Sequence, residues 1–298
     1  MNLLNGALNR TFDVLLAPLE LLGAPAALVL FSGIFGVLAL WAFKRISWQG
    51  GIRKAKDRIK AHMIAIRIWQ DDLRVVGRSF GGAMLHNAQY LGLNFAPFVP
   101  LAIPFVIGAA QLVVRYAYDP VPVSADTAAL LPGQGTLVEV ELWPERRGEI
   151  ADLRVELPAG LRALSPLVRS PAEGRALMEV VAVAPGVHAL VFELPGRDGG
   201  VDRAEKLCVA GALREREMQP RRVSSRDWWR LHDPDRWPFL WPAEDALESG
   251  SAFRSIALGY PYRRLGWLPD GELGILVTFL VASMVFGALA IKPLGVQI

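Results

Sequence analysis

Three long apolar stretches constrain this 298-residue chain more than any other feature. They are APAALVLFSGIFGVLALWAF (24–43), NFAPFVPLAIPFVIGAAQLVVRY (94–116) and LGILVTFLVASMVFGALAI (273–291). About 20 apolar residues in a helix cross the roughly 30 Å hydrocarbon core of a bilayer. The chain is 52% hydrophobic with a mean hydropathy of +0.30, too apolar for a soluble domain of this length. We therefore predict a membrane protein with three spans, whose first partner is the lipid bilayer.

The distribution of charge predicts how the spans are oriented. Residues 44–78 contain ten Lys/Arg against three Asp, whereas residues 119–268 contain nineteen Lys/Arg against twenty-two Asp/Glu. Basic residues in short loops mark the cytoplasmic side, and long translocated domains largely escape this rule. The N-terminus is therefore predicted outside and the C-terminus in the cytoplasm. We expect an integral protein of a bacterial cytoplasmic (inner) membrane, with a periplasmic domain between the second and third spans.

These patterns divide the chain into eight parts. We predict an outer interfacial amphipathic helix (1–23), a transmembrane helix (24–43), a basic cytoplasmic helical hairpin (44–92), a proline-rich transmembrane helix (93–118), an extracytoplasmic β-sandwich (119–215), a Trp-rich extracytoplasmic segment (216–270), a third transmembrane helix (271–292) and a cytoplasmic tail (293–298). The predicted fold class is membrane α-helical with an inserted all-β, immunoglobulin-like sandwich.

The first part carries an apolar stripe at helical spacing, formed by Leu4, Leu8, Phe12, Leu15 and Leu19. Asn5, Asn9 and Asp13 lie opposite this stripe. The pattern predicts a helix lying along the outer membrane surface. A simple extension of the first span is the alternative.

The basic region after the first span has a seven-residue apolar repeat. Its members are Ile52, Ile59, Ile66 and Leu73, with Ala55, His62, Trp69 and Val76 at the complementary positions. This spacing is typical of a coiled-coil seam. Asp71 or Asp72 is a helix N-cap candidate, which favours a hairpin with helices over about 50–69 and from about 72. One continuous helix is the alternative, because the repeat crosses the junction.

The region after the second span has the alternation of β-strands. We predict strands in TLVEVELW (136–143), IADLRVELP (150–158), RALMEVVAVA (175–184), VHALVFEL (187–194) and FRSIALGYPY (253–262). Short strands with frequent Pro/Gly turns are typical of an antiparallel sandwich. Cys208 is the only cysteine, so this domain has no internal disulfide and depends on its own core.

The Trp-rich segment contains DWWRLHDPDRWPFLWP (227–242), in which Trp228, Trp229, Trp237 and Trp241 lie among charges and prolines. Tryptophan is favoured at the level of lipid headgroups and at half-buried edges. We therefore expect these rings at the outer membrane surface or over the edge of the sandwich. A sugar-stacking platform is the alternative.

The second span carries polar groups where lipid is expected. Gln111 and Arg115 are four residues apart and share a helix face, and Pro97, Pro100 and Pro104 remove backbone donors. Such a helix needs protein or water beside it. One interpretation is a polar wall that helps hydrophilic segments cross. The other is that Arg115 reaches outward while Gln111 bonds a neighbouring helix. Asn94 belongs to a second polar patch at the inner end.

The chain lacks several common enzymatic signatures: an H-E-x-x-H pair, a P-loop and a G-x-G-x-x-G motif. We therefore predict no enzyme, no cofactor and no metal site. GRSFGG (77–82) follows no strand and is interpreted as a closely packed or flexible part of a helix. The basic residues Arg53, Lys54, Lys56, Arg58 and Lys60 are predicted to face anionic lipid, a client or the ribosome, and not DNA.

The order of elements resembles the core of the YidC/Oxa-type membrane insertase superfamily. That order is an outer amphipathic helix, a span, the hairpin IRKAKDRIKAHMIAIRIWQDDLRVVGRSF, a proline-containing span and a later third span. The resemblance implies a hydrophilic groove between the spans that shortens the path of a client helix, and a hairpin that receives the client. Bacterial members often carry a groove arginine, whereas the first span here offers only Ser32. The large external domain is a further departure.

Two functions follow from these interpretations. The first is an insertase-like chaperone or assembly factor that contacts nascent membrane-protein helices through Gln111, Arg115 and Asn94, with the basic hairpin guiding clients or the ribosome. The second is a non-catalytic envelope scaffold whose β-sandwich binds another extracytoplasmic protein or a glycan.

Overall fold

A computed structural model describes residues 2–124, 130, 133–196, 199–211, 218–226 and 237–296, apart from the side chain of Leu4. The chain forms two compact units. One comprises Met1–Ala27 with Ile107–Leu276, and the other comprises Leu28–Val106 with Val277–Ile298. Each unit is described by itself below.

Six α-helices are present in the described part of the chain. They are α1 (Asn2–Glu20), α2 (Ala24–Ile46), α3 (Gln49–Ile68), α4 (Leu73–Phe95), α5 (Phe98–Tyr116) and α6 (Gly271–Leu294). Three stretches are long and apolar enough to cross a membrane: α2, the segment Leu73–Tyr116 that includes α5, and α6. This confirms the prediction of three apolar helices. The second helix begins later than predicted, because α4 extends to Phe95 and residues 93–95 belong to it.

The basic region folds as two helices and not as one. Asp72 caps α4, since its carboxylate accepts hydrogen bonds from the backbone N–H groups of Arg74 (2.9 Å) and Val75 (3.2 Å). The rings of His62 in α3 and His86 in α4 stack with centroids 5.4 Å apart, so the helices pack as an antiparallel hairpin. The predicted capping and the break at the turn are therefore confirmed.

The predicted seam is buried only at the base of the hairpin. Ile52 and Ala55 are buried, and Ile59, His62 and Ile66 are half-buried. Trp69 and Leu73 are exposed at the tip. The seven-residue repeat continues through the turn, but the chain reverses there, so these two residues lie at the ends of α3 and α4 that flank the turn.

In the same unit, α2, α5 and α6 share an aromatic cluster. Phe279 lies 5.2 Å from Phe35 and 4.6 Å from Phe105 between ring centroids. Next to this cluster, α2 and α6 approach at a glycine: a Cβ built on Gly36 would lie 2.1 Å from the backbone oxygen of Ser283. Small residues permit such close approach, which is how apolar helices pack in lipid.

The other unit contains two antiparallel sheets. Their strands are β1 (Thr136–Leu142), β2 (Arg154–Glu156), β3 (Leu161–Ala163), β4 (Val168–Ser170), β5 (Arg175–Ala182), β6 (Gly186–Pro195), β7 (Val201–Ala210), β8 (Arg221–Val223) and β9 (Phe253–Leu258). The larger sheet has the order β3-β5-β1-β9-β8 with β4 also paired to β5, and the smaller has the order β2-β6-β7. Inward-facing side chains such as Val138, Val140, Phe192 and Ile256 are buried and form the core of this β domain.

The structure corrects two strand predictions. Residues predicted as one strand over 150–158 begin inside a 3-10 helix (Pro144–Asp152), and only Arg154–Glu156 is a strand. Pro144 begins that helix and removes a backbone donor, which favours the turn. The long strand β7 was not predicted.

Part of the Trp-rich segment, residues 227–236 with Trp228, Trp229 and His232, lies outside the described residues. Trp241 is buried against Val114 of α5 and Val223 of β8. Because β8 is the last strand of the larger sheet, this ring covers a sheet edge. That position is one of the two predicted for the tryptophans.

Candidate functional site

The predicted polar pair on α5 is covered by α1. Gln111 is 1% exposed, and its Nε2 donates to Asn9 Oδ1 at 2.7 Å. Arg115 forms an ion pair with Asp13 at 2.7 Å and also donates to the backbone oxygen of Asn9 at 3.2 Å. Both side chains are therefore engaged by a neighbouring helix of the same unit, as the second interpretation of Gln111 expected.

This contact corrects the predicted environment of the asparagines on α1. Phe12 and Leu16 are buried and Asn9 points to α5, whereas Leu15 is 51% exposed. The sequence pattern placed the asparagines on the side away from the apolar surface. They face protein because Gln111 and Arg115 need polar partners in an apolar surrounding. The alternative of a simple extension of α2 also differs from the structure, since α1 ends at Glu20 and α2 begins at Ala24.

Removing the amide of Asn9 is expected to loosen α1. In Asn9→Ala, Gln111 Nε2 loses its acceptor, at a cost of about 1–3 kcal/mol for an unsatisfied buried group, and the Pro242 backbone oxygen loses the donor Asn9 Nδ2. A single cysteine at the buried position Leu16, in a Cys208→Ala background, should then react with a maleimide roughly 5- to 150-fold faster. Thr11→Val is the matched control, because Thr11 is exposed and bonds only within its own helix. Equal rates in the two variants would contradict a role for this contact in holding α1.

The other predicted contact residues lie on the hairpin. Asn94 is in the last turn of α4, where its Nδ2 donates to the backbone oxygen of Tyr90 at 2.8 Å. The predicted basic residues Arg53, Lys54, Lys56, Arg58 and Lys60 all lie on α3, and every one except the half-buried Lys56 is exposed. Lys56 Nζ lies 5.6 Å from the centre of the Tyr90 ring. The structure thus groups Asn94 with the basic residues in one unit and places Gln111 and Arg115 in the other.

Sequence reasoning missed an exposed apolar stripe along α4. Its members are Leu73, Phe80, Met84, Leu91 and Phe95, each at least 45% exposed. They are separated by seven, four, seven and four residues, so at 100° per residue they lie within an arc of about 60°. We call this surface the α4 stripe. The spacing of the α4 stripe can be read from the sequence. It was missed because Leu73 was assigned to the predicted coiled-coil seam instead.

Within the same unit, the α4 stripe ends next to the first residue of α5. The ring of Phe95 lies 6.0 Å from that of Phe98, which is 5.7 Å from Phe43 of α2. A helix of 23 residues is about 34 Å long, so the stripe extends over that distance from the hairpin tip to an apolar helix. At the tip, exposed Met63, Ile64 and Ile68 of α3 enlarge the apolar surface.

A serine in α4 has the spacing of a hydrolase nucleophile elbow, which the sequence reasoning overlooked. Gly77-Arg78-Ser79-Phe80-Gly81 matches G-x-S-x-G. An elbow places its serine on a sharp turn between a strand and a helix. Here all five residues lie inside α4, and Ser79 is buried. The geometry therefore does not support this serine as a nucleophile.

The most buried charge of the β domain is Lys206 of β7, with 0% side-chain exposure. Its Nζ contacts the Glu244 carboxylate and donates to the backbone oxygen of Gln219 at 2.6 Å. Glu244 also accepts from the backbone N–H of Leu207 at 3.1 Å. Burial lowers the pKa of Lys206, and the neighbouring Glu244 opposes that shift. This cluster ties the Trp-rich segment to the smaller sheet.

Cys208 lies two residues further along β7 and is fully buried. Burial raises the pKa of its thiol to about 11. Since the thiolate is the reactive form, this cysteine is inert at neutral pH while the β domain is folded. Among the described residues, no group of three or more His, Cys, Asp or Glu side chains could hold a metal ion.

Comparison with protein-family models, with curated proteins and with solved structures gives no match to this chain.

Proposed function

We propose that this protein is an insertase-like membrane chaperone or assembly factor, and that the α4 stripe is the surface that receives the client helix. The observation that carries this proposal is the α4 stripe itself, a row of exposed apolar side chains from the hairpin tip to the start of α5. Soluble surfaces rarely keep such a patch unless it binds something apolar. A membrane-protein helix is an occupant of matching length and chemistry.

The chemistry of the stripe suits clients of varied sequence. Apolar helices dock through anchors at spacings of three, four and seven residues, and the α4 stripe presents the spacings of four and seven. Met84, with Met63 at the tip, adds flexible and polarisable contacts that adapt to different side chains. Affinity for many clients requires such adaptability more than close complementarity.

The basic face of α3 is proposed to guide the client or the ribosome towards the membrane. Arg53, Lys54, Arg58 and Lys60 are exposed. Beside a bilayer they attract anionic lipid, which fixes the hairpin on the cytoplasmic side of a bacterial inner membrane. The resemblance to the YidC/Oxa-type superfamily supports the same assignment, because its hairpin receives clients.

Because α1 covers Gln111 and Arg115, we propose that other residues contact the client first. Gln111 and Arg115 are bonded to α1, so they become available only if α1 moves. The hairpin needs no such movement. Asn94, at the end of α4, lies where the α4 stripe meets α5 and is proposed as the polar contact at membrane entry.

Site-specific photocrosslinking in living cells tests the proposal. A benzoylphenylalanine placed at Phe80 or Met84 should trap many newly made membrane proteins, and the signal should fade when translation is stopped. Arg78 is the matched control, because it is exposed on the same helix but points about 120–160° away from Phe80 and Met84. One stable partner that persists without translation would contradict the proposal.

The envelope scaffold is a second candidate, favoured by the outer face of the larger sheet. Val168 of β4 pairs with Leu177 of β5, and Leu137 of β1 lies nearby on the same face. All three are exposed. A probe at Leu177 that traps one abundant extracytoplasmic protein, combined with no translation-dependent product at Met84, would establish this function instead.

A further inference from the structure

The larger sheet carries a trough on its outer face. Strand register places Glu139 of β1 opposite Ala257 of β9, and Arg221 of β8 opposite the same alanine. The three side chains therefore form a row across neighbouring strands and point to one face. Because the middle residue is small, a gap remains between the two long charged side chains.

The gap continues to the next pair of residues. Gly259 donates its N–H to Leu137 at 2.9 Å, and a Cβ built on Gly259 would have its nearest neighbour at 3.6 Å. Ala257 and Gly259, neither of which has a long side chain, therefore both line the trough. Leu137, Pro220, Trp241 and Glu272 also line the trough. The volume of the trough is about 270 Å³.

The trough presents charges of both signs that do not neutralise each other. Glu139 and Glu272 supply two carboxylates and Arg221 a guanidinium. Among the described residues, no ion pair within 4.0 Å joins Arg221 to either carboxylate. Glu139 has only a distant partner, Arg175 at 3.8 Å, and Glu272 accepts from the Tyr118 hydroxyl. A ligand with a cation and an anion a few ångströms apart complements this arrangement.

The trough lies beside the ends of two apolar helices. Glu272 is in the first turn of α6, and Trp241 packs on Val114 in the last turns of α5. Tyr262 and Trp267, in the segment that precedes α6, are 61% and 77% exposed. Exposed aromatic rings at helix ends are typical of the interface between membrane and water. With these helices in a bilayer, the trough lies at the level of the lipid headgroups.

We propose that this trough binds the headgroup of a zwitterionic phospholipid of the phosphatidylethanolamine class. The ammonium group donates to Glu139 and Glu272, the phosphate accepts from Arg221, and the acyl chains extend into the bilayer. A primary ammonium has three donors for the two carboxylates, which a choline group lacks. This inference depends on the membrane position of the helices and is independent of the client-binding function.

Native mass spectrometry of the full-length protein, stripped of lipid in mild detergent, tests the site. On titration, palmitoyl-oleoyl phosphatidylethanolamine should bind with one tight equivalent, and the phosphatidylglycerol and phosphatidylcholine analogues should bind at least about tenfold more weakly. Ala257→Leu, which fills the trough, and Glu139→Gln should each weaken the tight equivalent by a similar factor. Arg154→Gln and Glu156→Gln on the exposed strand β2 are matched controls that should leave it unchanged.

Two results would overturn the proposal. Equal binding of all three lipids, unaffected by Ala257→Leu, would show only unspecific lipid around the helices. Soluble phosphoethanolamine binding as tightly as the lipid would assign the trough to a small soluble zwitterion. Protection of Cys208 from maleimide in every variant verifies that the β domain is folded, so loss of binding cannot be ascribed to unfolding.

Discussion

Replacing Glu244 with alanine is expected to destabilise the β domain by about 3–5 kcal/mol, because it leaves the fully buried Lys206 without its counter-charge. The substitution also removes the acceptor of the Leu207 N–H group. The Lys206 side chain has 0% exposure, so it lies out of reach of bulk water in the folded domain. The cost therefore includes the desolvation of an unpaired charge, which a surface ion pair does not have.

Cys208 provides the measurement for this prediction. As the only cysteine of the chain, it reacts with maleimide only when the β domain opens. In full-length protein without denaturant, labelling of Glu244→Ala should be roughly two to four orders of magnitude faster than in the wild type, since each 1.4 kcal/mol is a factor of ten. Glu248→Ala, an exposed glutamate four residues later, is the control and should not change the rate. Similar rates for both variants would show that the buried pair does not hold the domain closed.

Replacing Gly36 with alanine is expected to disrupt the packing of α2 against α6. The new Cβ would lie 2.1 Å from the Ser283 backbone oxygen and 2.7 Å from its carbonyl carbon, and backbone atoms cannot rotate away. Overpacking costs about 1–3 kcal/mol where side chains can adjust, and more where a backbone must move. The midpoint temperature of heat-induced aggregation in mild detergent should fall by several degrees in Gly36→Ala. In Gly36→Leu this midpoint should be lower still.

Gly81→Ala on α4 is the matched control for this substitution. None of the described atoms lies within 4 Å of the position its Cβ would take. Alanine favours a helix over glycine by about 1 kcal/mol, so this variant should be neutral or slightly more stable. If Gly36→Ala behaved like Gly81→Ala, α2 and α6 would not be in close contact in the protein.

The sequence located the helices well because their signals are local. The apolar length of α2 and α6 and the capping carboxylate of Asp72 depend on neighbours along the chain. The end of the paired seam was harder to predict. Trp69 and Leu73 continue the repeat, and only the reversal of the chain leaves them exposed.

The strand β7 shows why the alternation of apolar and polar residues did not predict every strand of the β domain. Its sequence VDRAEKLCVA contains Lys206 at an inward position, between the buried Ala204 and Cys208. In a sequence pattern a lysine is assigned to the solvent-facing side of a strand, since lysine is almost never fully buried unless paired. Its partner Glu244 is 38 residues away, and no local pattern shows that pairing.

In the candidate sites, too, local features could be predicted from the sequence and long-range ones could not. The spacing of Gln111 and Arg115 predicted one shared polar face, and the structure has both on one side of α5 bonded to α1. The trough between Glu139 and Arg221 could not be predicted, because it depends on the register of three strands distant in the chain.

By itself, the sequence determined three helices that are long and apolar enough to cross a membrane, the capped turn of the hairpin and a β-rich region before the last helix. These follow from the period and length of apolar runs, which local backbone geometry fixes. Only the tertiary structure decided that α1 covers the polar face of α5, that Lys206 is buried with Glu244, and that the α4 stripe is left open. Those outcomes depend on which distant groups meet, because polar groups excluded from water take whatever partner the fold brings to them.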